Sequence, residues 1–156
     1  MKKLILMLFL IPTLLFAQSE GVKFEHGLNW SQIKEKAAKE NKFIFVDCFT
    51  TWCGPCKYMS STIFPQAKVG DFFNAKFINA KIQMDKTKND NEDVKSWYEE
   101  ADRFAKEYKV RAYPTFLIFD SKGTLVHRIV GGGEADDFIA KTQKSLDPNT
   151  QYETLL

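Results

Sequence analysis

The residues of this chain best suited to covalent chemistry are its three cysteines, Cys48, Cys53 and Cys56. Three cysteines cannot close a framework of paired disulfides, and two of them stand as C-x-x-C within Trp52-Cys53-Gly54-Pro55-Cys56-Lys57. That spacing suits reversible dithiol–disulfide chemistry. A zinc site would need a second C-x-x-C or a histidine pair, whereas His26 and His127 are single and far apart in sequence. A purely structural bond between Cys53 and Cys56 would tie a very short loop and stabilise little. The pair therefore reads as catalytic. Cys53, expected to be the more exposed, would attack as a thiolate, and Cys56 would resolve the mixed disulfide.

Such a pair must be held by the elements around it. Phe43-Ile44-Phe45-Val46-Asp47-Cys48-Phe49 is an almost continuous apolar run, which predicts a strand buried on both faces. After Thr50 and Thr51, the positions of Lys57, Met59 and Ile63 are compatible with a helix. The cysteines thus fall where a buried strand gives way to a helix N-terminus, whose free N–H groups and dipole favour a thiolate. Pro55 is tolerated in a first turn, which has no N–H bond to lose. Asp47 is a carboxylate inside an apolar run, so its pKa should be raised or Lys81 should lie near it. Cys48 alternates with Asp47 and should face the opposite side of the sheet, as part of the core. Trp52 should cover the disulfide and offer an apolar contact.

The remaining pattern supplies a first helix from about Asn29 to Glu40, with Trp30, Ile33 and Ala37 on one side and Asn29 as its cap. Val69, Phe72 and Phe73 form a short second stripe, and Phe77 to Met84 reads as a strand. Lys86 to Asp93 is wholly polar and reads as a solvated loop. Trp97, Ala101, Phe104, Ala105 and Tyr108 mark one face of an amphipathic helix that Ser96-x-x-Glu99 could cap. Thr115–Phe119 and Thr124–Val130 flank the turn Asp120-Ser121-Lys122-Gly123 as a hairpin. Phe138, Ile139, Thr142 and Leu146 belong to a last helix. The fold class is α/β, a βαβ half followed by a ββα half, with helices on both faces of a central mixed sheet. Gly131-Gly132-Gly133 reads as a flexible strand end beside a substrate groove, because it lacks the Gly-Lys-Ser/Thr of a P-loop.

At the N-terminus, Lys2 and Lys3 precede an uncharged apolar run from Leu4 to Phe16 and then Ala17. This is the pattern of a signal peptide cut near Ala17, and the run is too short for a spanning helix, which needs roughly 20 apolar residues. Removing residues 1–17 takes away Lys2 and Lys3, so the formal net charge falls from +2 to 0. A neutral balance argues against nucleic acid as a partner. Hydrophobic residues at 44% of the chain, with 14 phenylalanines, can build one core without disulfide staples.

The residues as a set resemble the thioredoxin family, and more closely the secreted thioredoxin-like proteins of bacteria. The resemblance runs from about Leu28 to Leu146. It is carried by Val46-Asp47, Trp52-Cys53-Gly54-Pro55-Cys56-Lys57, Lys81 with Asp85, Tyr113-Pro114-Thr115 and Gly131, in that order. It implies a thioredoxin fold over residues 28–146, with 18–27 as a lead-in, an extra segment Lys86 to Ser96 before the third main helix, and 147–156 as a tail. It also implies that Asp47 exchanges a proton with the resolving cysteine through water. The Tyr113-Pro114 bond should be cis, placing backbone beside the cysteines to pair with an extended substrate. The implied substrate-binding set is Trp52, Gly54, Pro55, Tyr113, Pro114 and Gly131; the implied catalytic set is Cys53, Cys56, Asp47 and Lys81, with no cofactor and no metal.

Three activities follow as alternatives. One is reduction or exchange of protein disulfides outside the cytoplasm, in the periplasm or after secretion, by a monomer fed by a membrane electron donor. The second is a dedicated partner in oxidative folding, isomerisation or cytochrome c maturation. The third is a non-catalytic binding module. The departures from the shortest thioredoxins, namely the Lys86–Ser96 segment, Cys48 and Tyr113, leave the partner open.

Overall fold

A computed structural model of the chain describes residues 20–151. The segment read as a signal peptide and the last five residues of the tail lie outside the described residues. Among the described residues, four strands form one sheet in the order β2-β1-β3-β4. Strand β1 (Phe43–Phe49) is parallel to β2 (Phe77–Gln83) and antiparallel to β3 (Thr115–Phe119), which pairs antiparallel with β4 (Leu125–Val130). This is the expected mixed sheet with its βαβ and ββα halves.

Helix α1 (Trp30–Glu40) starts from a reciprocal cap. The Asn29 side chain accepts the Gln32 amide N–H at 3.0 Å, and the Gln32 side chain accepts that of Asn29 at 2.9 Å. It ends on Asn41 in the left-handed region, φ 50°. Helix α2 (Gly54–Tyr58) carries the redox pair and runs into a π-helical turn, Met59–Ile63, where the Phe64 amide reaches back to the Met59 carbonyl at 2.8 Å. The sequence spacing had suggested a plain α-helix here. Pro65 has no N–H to continue the ladder, and the widened turn closes the helix ahead of it. Helices α3 (Ala67–Lys76) and α6 (Ala135–Gln143, extended by a 3₁₀ turn Lys144–Leu146) lie on the same side of the sheet as α2.

Period-two alternation along β1 divides the core. Ile44, Val46 and Cys48 face α1 and α5 (Tyr98–Glu107), packing with Trp30, Ile33 and Phe104. Phe45 faces the other way, 4.7 Å from the Phe73 ring and 5.4 Å from that of Phe116. Burying each such ring is worth roughly 1.5–3 kcal/mol, so the phenylalanine-rich side anchors the redox helix to the sheet.

Two expectations need correction. The polar stretch after β2 is not loop throughout: Glu92–Ser96 forms a short helix, α4, capped by the Asn91 side chain, which accepts the Val94 amide at 2.9 Å. Ser96 does not cap α5, because its hydroxyl turns back to the Asp93 carbonyl at 2.7 Å. The loop ahead of α4 is organised by Asp90, whose carboxylate accepts from the Gln83 amide, the Thr87 hydroxyl and backbone, and the Tyr98 hydroxyl. Those donors hold the Asp90 carboxyl well below the ordinary range. The hairpin turn is built as expected: Asp120 accepts the Lys122 and Thr124 amides, both at 2.9 Å, and Gly123 takes φ +83°. Strand β4 begins at Leu125 rather than Thr124, and a bulge lies at Ile118/Phe119. The start of the tail folds back onto α6, with the buried Gln151 side chain donating to the Ser145 carbonyl at 2.8 Å.

Candidate functional site

Beyond β1 the chain leaves the sheet through Thr50 and Thr51, and Asp85 fixes this exit. The Asp85 carboxylate accepts the Thr51 amide at 3.0 Å and the Thr51 hydroxyl. Cys53 is the N-cap of α2, and its sulfur accepts the Cys56 amide N–H at 3.1 Å. Cys53 and Cys56 are joined as a disulfide with S–S 2.06 Å. In the reduced state the same amide and helix end would face a Cys53 thiolate, which they favour over the thiol. The expectation that Cys53 is the more exposed of the pair is not met in the disulfide form, since Cys53 is 4% and Cys56 3% exposed. Gly54 and Pro55 are exposed beside the disulfide.

Trp52 is 68% exposed, with its ring set edge-on to Tyr113 at 5.9 Å, so it offers a large apolar surface to a partner. Tyr113-Pro114 is cis. The Pro114 carbonyl accepts the Gly131 amide at 2.8 Å, and Gly131 takes φ +85°, a conformation open to glycine. Gly132 passes so close to Met59 that a Cβ there would lie 2.9 Å from its sulfur. The other large apolar side chains exposed among the described residues, Tyr58 and Val130, belong to α2 and to the strand end before Gly131. Tyr58 donates its hydroxyl to Glu134 at 2.7 Å, tying the redox helix to the segment before α6. Neither was singled out from the sequence; a tyrosine directly after Lys57 carries no periodic signal of its own.

Asp47 is 2% exposed. Its register partner in the parallel ladder is Lys81, and the ammonium lies 3.4 Å from Oδ2. Burial pushes the Asp47 carboxyl up to about 6, the Lys81 charge and hydrogen bond opposing the shift without cancelling it. Both halves of the sequence expectation, a raised pKa and a nearby Lys81, hold together. Asp47 Oδ1 has no hydrogen-bond partner among the described residues. Lys81 also donates to the Ser60 hydroxyl at 2.8 Å, one turn beyond Cys56, so it bridges β1 and the redox helix. Cys48 lies on the opposite side of β1, free and fully buried. Burial, reinforced by the Asp47 charge, holds its thiol well above the ordinary value. Among the described residues no cluster of three or more His, Cys, Asp or Glu could hold a metal ion.

A family profile described as Thioredoxin-like domain matches residues 30–145. The chain is 36% identical over 107 residues to Thioredoxin-2 of Pyricularia oryzae, an alignment covering 68% of this chain and 51% of that protein. It is 33% identical over 119 residues to the chloroplastic Thioredoxin Y of Oryza sativa, covering 76% and 60% respectively. The chain thus spans about half to three-fifths of the length of these relatives. A solution structure of a candidate disulphide-isomerase from Bacteroides thetaiotaomicron matches with TM-score 0.66 at 37% identity, covering 84% of this chain and 98% of that one.

Proposed function

Because this chain belongs to the thioredoxin-like domain family, we propose that it is a thiol–disulfide oxidoreductase that reduces or exchanges protein disulfides through Cys53 and Cys56. The observation that carries the reading is the bonded pair at the helix start, with the Cys53 sulfur receiving the Cys56 amide. In the reducing direction the Cys53 thiolate attacks one sulfur of a substrate disulfide. A Cys53–substrate disulfide forms and the substrate's other sulfur leaves as a thiolate. Cys56, after giving its proton to Asp47, attacks Cys53 Sγ. The Cys53–Cys56 bond forms, the second substrate sulfur leaves as a thiolate, and two electrons have passed to the substrate. Lys81 holds the Asp47 carboxylate, Asp85 fixes Thr51 ahead of the pair, and Pro114 with Gly131 presents backbone to an extended substrate. Trp52, Tyr113, Gly54 and Pro55 form the exposed rim that the substrate meets.

The apolar run near Lys2 and Lys3 supports action outside the cytoplasm, with the mature chain beginning near Gln18. An oxidising compartment would re-oxidise the dithiol, so a membrane electron donor completes this reading, with the protein acting as a monomer. Disulfide isomerisation, or service to one dedicated partner, is a second reading favoured by the likeness to the Bacteroides candidate disulphide-isomerase.

Insulin reduction by the purified protein, together with equilibration of the Cys53/Cys56 couple against glutathione, tests both. A general reductase turns over insulin with a potential near the thioredoxin figure of about −270 mV. A potential near about −180 mV with scrambled-disulfide rescue would favour isomerisation. No turnover would leave a binding module. The intact mass of protein recovered from the periplasm of an expression host tests the cleavage near Ala17.

A further inference from the structure

The ammonium of Lys81 is enclosed in a way that neither its pairing with Asp47 nor the redox motif requires. Its nitrogen lies 5.1 Å from the Phe24 ring centroid, 4.8 Å from that of Phe49 and 5.5 Å from that of Phe64. All three are within the roughly 6 Å over which a ring face attracts a cation. Phe49 ends β1 and Phe64 ends the redox helix, so both come with the dithiol. Phe24 does not. It is delivered by the segment ahead of α1, and that segment is firmly seated. Val22 donates its amide to the Phe64 carbonyl at 2.8 Å, Lys23 to the Asn74 side chain at 2.9 Å, and Glu25 to the Asn79 carbonyl at 2.8 Å. Asn74 and Asn79 return hydrogen bonds to the carbonyls of Gly21 and Lys23. The approach is so close at Gly70 that a Cβ would come within 2.0 Å of the Glu20 carbonyl. Two cavities of about 330 and 320 Å³ flank this point, and Phe24 and Lys81 line both, so the lysine side chain borders open space on either side of the Phe24 ring.

We infer that Phe24 is a positioning residue for the dithiol chemistry: its ring completes an aromatic cage that holds the Lys81 ammonium against Asp47. The inference rests on the proposed oxidoreductase reading for its consequence, but its geometry stands apart from it. A lysine ammonium is a strongly hydrated point charge on a flexible stem. With the ring gone, the ammonium gains water and room to swing away from Asp47, whereas Asp47 itself stays buried on β1. The carboxylate then loses attraction without gaining hydration, and it should take up its proton at higher pH. The groups facing Lys81 are Asp47 and the Ser60 hydroxyl; Glu25, His26 and Asp93 share the larger cavity, with Glu25 engaged by Lys36 at 2.6 Å. Asp47 is faced by Lys81 from β2, while the Cys48 thiol on the opposite side of β1 feels its charge.

The test is a carboxyl-carbon NMR titration of Asp47 in oxidised wild type, Phe24→Leu and Phe24→Tyr, each also on a Lys81→Met background. Leucine keeps apolar bulk and removes the π face; tyrosine keeps the face. Phe24→Leu should raise the Asp47 midpoint by about half a unit, the loss of one ring's hold on the cation. Phe24→Tyr should leave it in place, and Phe24→Leu should shift nothing further once Lys81 is methionine. In single-turnover reduction of a peptide disulfide, the pH profile of the resolving step should move up by the same amount. An Asp47 midpoint that stays or falls in Phe24→Leu, or that moves equally without Lys81 or with tyrosine, overturns the inference. Phe49→Leu applies the same test from a second wall if Phe24→Leu does not fold. The NMR titration needs no catalysis, so a wild type that fails to reduce insulin would refute the oxidoreductase reading and leave this result separately readable.

Discussion

Replacing Asp47 by Asn should stabilise the oxidised protein near neutral pH, and the size of the effect follows from the site. The carboxyl is 2% exposed and titrates at about 6 in the fold, against an ordinary value of 3.8. Its folded pKa is raised, so the folded state binds the proton more tightly than the unfolded chain does. Stability therefore falls as pH rises through the window from about 4 to about 6, and above that window the full penalty is present. A gap of about two units at about 1.4 kcal/mol each makes this about 3 kcal/mol. The Lys81 attraction is already contained in the folded value of about 6, so asparagine recovers the whole of this penalty, but its buried amide N–H has no acceptor waiting at a site where Oδ1 is already unpartnered, which costs about 1 kcal/mol. Asp47→Asn should thus be more stable than wild type by about 2 kcal/mol at pH 7 to 8, a difference that shrinks towards pH 4. Urea unfolding of both oxidised proteins at single-unit steps from pH 4 to 8 measures it. Parallel stability curves with no pH-dependent gap, or a mutant less stable at pH 7, would refute the reasoning that burial of this carboxylate costs stability. The same substitution should slow resolution of the mixed disulfide by removing the proton acceptor for Cys56, measured as single-turnover peptide reduction from pH 6 to 9.

Two further outcomes concern residues away from the exchange itself. Cys48→Ala should lower stability by about 1 kcal/mol, as a small core truncation does, and leave insulin reduction unchanged. Iodoacetamide should label Cys48 in the native protein only slowly; rapid labelling would put the thiol at the surface. Asp90→Ala removes the acceptor shared by Gln83, Thr87 and Tyr98, so limited proteolysis should cut between residues 86 and 96 far faster than in wild type, with insulin reduction intact. Protection equal to wild type would show that α4 is held by other contacts.

The parts of this fold legible in the sequence are those where pattern and local chemistry agree. The run Phe43–Phe49 had to be a buried strand, and the placement of Asp47 within it announced a strained carboxylate. Lys81 is expected near it as the cation such a carboxylate needs, and the parallel register that sets Lys81 directly opposite Asp47 is what the structure adds. The helix α4 was hidden because Val94 is its single apolar residue; its signal was Asn91 three residues before Val94, a cap without an apolar stripe to follow. Ser96 offered a competing cap and lost, because its hydroxyl found the Asp93 carbonyl within its own turn. The enclosure of Lys81 was beyond reach for another reason. Phe24, Phe49, Ser60 and Phe64 meet across three separate stretches of chain, and no periodicity joins them. The near-equal burial of Cys53 and Cys56 belongs to the disulfide state, which residue order does not specify.

The central claim, that Cys53 attacks and Cys56 resolves, is tested most directly by trapping. Cys56→Ser leaves the attacking sulfur and removes the resolving one, so incubation with a disulfide-bonded peptide should accumulate a covalent adduct, released by dithiothreitol and mapped by mass spectrometry to Cys53. Cys53→Ser should form no such adduct and show no insulin reduction. An adduct at Cys56 in Cys53→Ser, with none in Cys56→Ser, would contradict the account.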